Sequence, residues 1–118
     1  MADPYRTQPL DGGRDAYELS LSGKIYADRA PQLGDHLVAL ADKGLKRLLV
    51  DARELEQIDS SGLNVFVLLL KRVRPEGGKI VFYGLNPNIQ RVFQITKLDT
   101  VMSVATDRAA ALRVLSDG

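Results

Sequence analysis

The hydrophobic period of this chain changes at Asp28, and that change most constrains the fold. Before it, Tyr17, Leu19 and Leu21 alternate with Glu18, Ser20 and Ser22, the period of a strand with one face buried. After it, Ala30, Leu33, Leu37, Leu40 and Ala41 recur at spacings of three and four, the period of an amphipathic helix. Pro31 suits a first turn, where its missing N–H is not needed, and Gly44 is a stop signal. Leu48-Leu49-Val50 then forms a short continuous apolar run, which reads as a central strand covered on both faces.

The exchange of periods continues to the end of the chain. Residues 51–59 read as a polar connection anchored by Leu55 and Ile58. A second helix is predicted from Ser61 to Val73, ending before Pro75 and Gly77-Gly78, and Lys79 to Tyr83 is a further strand. Asn86-Pro87 is an N-cap followed by a proline at the first helical position, and Ile89, Val92 and Phe93 give that helix one apolar stripe. Val101 to Ala105 is predicted as the last strand, and Thr106-Asp107 as the cap of a helix bearing Leu112 and Leu115. At the other end, Met1 to Pro4 read as a loose tail and Tyr5 to Leu10 as an edge strand. Asp11-Gly12-Gly13 is a hairpin-type turn signal. Gly23 breaks the alternation, and Ile25 extends the strand. The order predicts an α/β sandwich: a mixed, mostly parallel sheet with helices and an antiparallel N-terminal edge strand. With 118 residues, one domain over the whole chain is expected.

Composition limits the chemistry. There is no cysteine, so disulfides and thiolate metal sites are excluded. Net charge is +1 with no long block of one sign, which argues against direct nucleic-acid binding. Met1 to Leu10 lacks a charged-then-apolar leader pattern. The longest apolar run, Val65 to Leu70, is too short to span a bilayer. A cytoplasmic location without membrane insertion is expected. His36 is the only histidine, sits mid-helix with partial exposure expected, and has no second histidine to complete a catalytic or metal site. Asp51, Glu54, Glu56 and Asp59 follow the central run, but a receiver-type phosphoaspartate site would need an acidic pair after an earlier strand. Solvation is the better reading of Glu54 and Glu56. No Walker-type loop is present. Lys71, Arg72 and Arg74 read as complements to a helix dipole. No cofactor, metal or catalytic residue is expected.

Asp59-Ser60-Ser61-Gly62 is where chemistry concentrates. The segment opens a strongly apolar helix, whose first N–H groups lack partners within the helix. Ser60 or Asp59 can accept from them, and Gly62 allows close approach by another group. Serine at such a position is most often a cap. A phosphate on Ser60 would add roughly −1.5 to −2 charges at a helix end that favours negative charge. In the following helix, burial against the sheet is expected for most of Leu63, Val65, Phe66, Val67, Leu68, Leu69, Leu70 and Val73.

Several segments together resemble the anti-sigma-factor antagonist family, which has the STAS fold. They are Leu49-Val50-Asp51, Ile58-Asp59-Ser60-Ser61-Gly62-Leu63, Gly77-Gly78-Lys79-Ile80-Val81, Asn86-Pro87-Asn88-Ile89-Gln90-Arg91-Val92-Phe93 and Thr96-Lys97-Leu98-Asp99. The resemblance runs over residues 14–115. It implies that Ser60 is phosphorylated by an anti-sigma factor serine kinase, the partner that the unphosphorylated protein binds. It implies that phosphorylation releases that partner and that a serine phosphatase resets the switch. Asp59 would orient Ser60 and the loop, and Ser61 would be structural. In place of the family's Gly-Glu-Ile/Leu-Asp, this chain has Gly23-Lys24-Ile25-Tyr26, with Asp28 two residues beyond. Lys24 and Tyr26 are therefore candidate partner contacts. The same departure motivates a second reading, a non-switching STAS subunit of a signalling or lipid-transport assembly. A weak nucleotide-binding protein is the third.

Overall fold

The computed structural model describes residues 5–10 and 15–116. The expected tail at residues 1–4 and turn at Asp11-Gly12-Gly13 fall outside them. Five strands form one sheet in sequence order: β1 (Tyr5–Pro9), β2 (Ala16–Ile25), β3 (Arg47–Ile58), β4 (Lys79–Tyr83) and β5 (Ser103–Ala105). β1 runs antiparallel to β2 along the edge, and the other pairings are parallel. The helices are α1 (Ala30–Asp42), α2 (Ser60–Val73), α3 (Pro87–Ile95) and α4 (Arg108–Ser116). Among the described residues no helix is long and apolar enough to cross a membrane.

Parity along the strands divides the core. Leu19, Leu21, Leu48, Val50, Ile80 and Phe82 face α1, α2 and α3, in a cluster completed by Leu33, Leu37, Phe66 and Phe93. Phe82 meets Phe66 and Phe93 edge-on, with ring centroids 5.0 Å apart in each pair. The intervening residues Leu49, Val81 and Tyr83 face α4, through Ala111 and Leu115. The expectation that Leu48-Leu49-Val50 is covered on both faces holds. β1 is tied to α1 by Thr7 Oγ1 and His36 Nε2, 2.8 Å apart. His36 is half-buried, as expected, and its ring lies 5.4 Å from that of Tyr5.

Three local expectations need correction. Residues 51–58 are not a connection: β3 continues to Ile58, paired with β2 as far as Ile25↔Ile58. Ala52 and Leu55 point into the core, while Arg53, Glu54, Glu56 and Gln57 are exposed. Backbone pairing holds the strand there without apolar side chains on its open face. The last strand begins at Ser103, because Leu98–Thr100 form a 3-10 turn. In α2 the expected burial of most of the set holds: Leu63, Phe66, Leu69, Leu70 and Val73 are buried, and Leu68 is 56% exposed. Finally, β2 is not a half-buried strand along its whole length, because Glu18 is only 4% exposed.

Candidate functional site

The Asp59-Ser60-Ser61-Gly62 segment lies where the long parallel strands end together. The Asp59 N–H donates to Ile25 O at 3.2 Å, continuing the β2–β3 pairing by one residue. The Asp59 backbone is extended, and its carbonyl accepts from Leu63 N at 3.0 Å. Its carboxylate is bound on both oxygens: Oδ1 accepts from Gly62 N at 3.0 Å, and Oδ2 from Ala27 N at 3.2 Å. Asp59 is therefore the cap of α2 and also a clasp on the loop between β2 and α1. A capping carboxylate of this kind contributes about 0.5–2 kcal/mol.

The sequence left the cap open between Ser60 and Asp59 and read serine as the commoner choice. The structure gives the cap to Asp59, and α2 starts at Ser60 rather than Ser61. Asp59 wins because its longer reach from the extended cap position serves two N–H groups at once. Ser60 is exposed, and its hydroxyl has no hydrogen-bond partner among the described residues. Ser61 is half-buried. It faces a groove of about 430 Å³ between α1 and α2, whose walls include Pro31, Gly34, Val38, Val65 and Leu68. Gly62 is required sterically: a Cβ there would lie 2.6 Å from Ile58 Cγ1 and 3.0 Å from Ile25 O.

Lys24, Tyr26 and Asp28 are all exposed. Together with Ser22, Arg29 and Glu56 they line a second, shallow pocket of about 450 Å³. Gly23 has φ +71°, and the β2–β3 register slips between Gly23 and Lys24. A left-handed residue and a slipped register together make a bulge, which re-aims the side chains beyond it. The Tyr26 hydroxyl donates to Gln57 Oε1, across to β3. Asp28 lies in the turn closed by Arg29 N donating to Tyr26 O at 2.9 Å. The clasp from Asp59 to Ala27 thus joins the two halves of the candidate site.

Two contributors escaped the sequence reading. Asn86 caps α3 as expected, with Oδ1 accepting from Ile89 N at 2.9 Å. Its amide also donates to Leu55 O at 3.3 Å and Glu56 O at 3.1 Å, holding the end of β3 that leads into Asp59. The other is Glu18. Its Oε2 accepts from the Tyr83 hydroxyl at 2.7 Å, and its Oε1 from Arg108 Nη2 at 2.8 Å. Burial pushes the Glu18 carboxyl up, but the Arg108 and Tyr83 hydrogen bonds and the Arg108 charge outweigh it and hold it below its ordinary value. Burial and the Glu18 hydrogen bond push the Tyr83 phenol up. Nearby, Asp51 accepts from Arg53 Nε at 3.0 Å and Nη2 at 2.9 Å, and these bonds hold its carboxyl low despite burial. One signal was available in the sequence: Arg108 opens α4, where a helix dipole disfavours a cation, so a carboxylate partner was to be sought.

Comparison with known proteins agrees with the geometry. Residues 10–106 match the family model described as Mlab, STAS domain. BtrV of Bordetella bronchiseptica, provisionally named an anti-sigma factor antagonist, is 36% identical over 77% of this chain and 78% of its own length. The anti-sigma-B factor antagonist of Bacillus subtilis is 32% identical over 75% of this chain and 80% of its own. Among solved structures, an anti-sigma factor antagonist from Mycobacterium paratuberculosis superposes with a TM-score of 0.83 at 23% identity, covering 96% of this chain and 93% of that one. The unphosphorylated form of the anti-sigma factor antagonist SpoIIAA gives 0.76 at 16% identity, over 96% and 99%. At these identities the structural likeness concerns the fold.

Proposed function

The chain belongs to the STAS-domain family of anti-sigma factor antagonists, and on that premise we propose that it is a cytoplasmic partner switch operated at Ser60. Unphosphorylated, it binds an anti-sigma factor serine kinase; phosphorylation of Ser60 releases that partner, and a serine phosphatase restores the binding form. Membership puts it among regulatory proteins rather than enzymes. One observation carries the reading: Ser60 is exposed, with no hydrogen-bond partner for its hydroxyl among the described residues, while the Asp59 carboxylate holds the helix cap. Phosphoryl transfer to Ser60 therefore breaks no bond that keeps α2 in place. It adds about −1.5 to −2 charges at the helix end where the dipole tolerates them. SpoIIAA, whose fold this chain shares, has been solved in both unphosphorylated and phosphorylated forms. Lys24, Tyr26 and Asp28, joined to the switch by Asp59, form the flank that the partner touches.

Incubation with the cognate kinase and ATP, followed by site-resolved mass spectrometry, is expected to place phosphate on Ser60. Phosphate on Ser61 alone, or on neither residue, would sink the switch. Ser60→Ala is expected to retain partner binding and Ser60→Asp to weaken it. The second reading, a non-switching subunit of a larger assembly, is favoured by Lys24 and Tyr26 standing where the family carries acids. It requires Ser60→Ala and Ser60→Asp to bind alike.

A further inference from the structure

We propose that α4 is a latched cover, which leaves the sheet as a unit while the rest of the protein stays folded, with Arg108 and Glu18 as its latch. At nine residues, α4 is shorter than the roughly 12–15 that an isolated helix needs. It is therefore helical only while docked, and undocking and unwinding are one event. Its seat is small: Ala111 and Leu115 are buried, against six buried residues in α2. Asp107 caps it, with Oδ1 accepting from Ala110 N at 2.8 Å. Among the described residues, polar links fasten its ends to the sheet: Arg108 to Glu18, and Lys79 Nζ to Val114 O at 2.9 Å.

The floor beneath α4 makes separate opening possible. Leu49, Val81 and Tyr83 lie there beside Glu18, Asp51 and Arg53. When α4 leaves, water reaches the Glu18 carboxylate and replaces Arg108, so no unpaired charge stays buried. α4 also follows β5, which is an edge strand, so its departure breaks no strand pairing. The latch is needed on the helix side too. Arg108 stands at the positive end of the helix dipole, and Glu18 offsets that repulsion.

The test is native-state hydrogen exchange on the full chain, with and without urea below the unfolding transition. Amides of α4 are expected to exchange at least about ten-fold faster than those of β3 and β4, with a urea dependence weaker than theirs, the mark of an opening that exposes part of the buried surface. Glu18→Gln keeps an acceptor for Tyr83 but removes the charge that Arg108 grips. It is expected to speed α4 exchange by roughly ten-fold or more, and to speed β3 and β4 by no more than that, since the open and the unfolded states both lack the latch. Phe82→Ala, which leaves the latch alone, is expected to speed β3 and β4 and to leave α4 unchanged. Arg108→Met tests the latch from the helix side and leaves the floor intact, so it decides the matter if Glu18→Gln does not fold. Exchange of α4 in step with β3 and β4 in the unaltered protein would overturn the proposal. So would no change of α4 exchange in the latch variants, or acceleration of α4 by Phe82→Ala.

Discussion

Phe82 and Tyr83 are neighbours in β4, equally buried, and point to opposite faces of the sheet. Phe82 enters an apolar layer under three helices, where its ring meets those of Phe66 and Phe93. Tyr83 enters a thinner layer under one helix, where its hydroxyl meets a buried carboxylate and its ring lies 5.5 Å from the Arg53 guanidinium. The first face holds the ends of β2 and β3 and the start of α2 in fixed relation, as a switch site requires. The second face is fastened by charges that water can replace. Packing makes one side rigid, and polar pairing makes the other separable.

The largest expected effect comes from the apolar side. Phe82→Ala should cost about 3–5 kcal/mol in urea denaturation, whereas Tyr83→Phe, which keeps the ring, should cost only about 1.5–3 kcal/mol. Equal costs would erase the distinction between the faces. Gly62→Ala comes next, at about 1–3 kcal/mol from forced displacement of Ile58 or the Ile25 carbonyl. It should also slow phosphorylation of Ser60 in a kinase assay, because the displaced atoms support the site.

Acid should separate the faces further. The folded protein holds Glu18 below its ordinary value of 4.5 and Asp51 below 3.8. Their stabilisation is present in full above those ordinary values. It is lost as pH falls through the depressed folded values, because the unfolded chain takes up protons first. The urea midpoint should therefore drop below about pH 4.5, and drop less in Glu18→Gln, where Asp51 alone of this pair remains. An unchanged acid profile in that variant would detach Glu18 from the stability of its face. The smallest effect is expected at Asn86. Asn86→Ala should cost about 0.5–2 kcal/mol. Asn86→Asp keeps the cap on α3 but loses the donors to Leu55 O and Glu56 O, which isolates the hold on β3.

The alternation of strand and helix was legible because each element needs one apolar face on the shared core, and period follows from that face. Asp59-Ser60-Ser61-Gly62 was legible as a helix start for the same local reasons. The division of labour between Asp59 and Ser60 was not, since it depends on Ala27, supplied by another loop. The length of β3 was hidden because its outer half presents Glu54, Glu56 and Gln57 to water, and a strand held by backbone pairing carries no apolar signature there. Glu18 was hidden most deeply. Its alternation says solvent, and the partners that make it interior, Tyr83 and Arg108, stand 65 and 90 positions later.

Asp59 spends both carboxylate oxygens on backbone N–H groups, which leaves Ser60 free to change charge without changing shape. A phosphate there would be a signal written in electrostatic potential alone. In solution that potential fades over about 8–10 Å at physiological ionic strength, too short a range to be read at a distance. The reader must therefore press against Ser60 and exclude the salt between them, and raising ionic strength should blur the message before it loosens the fold.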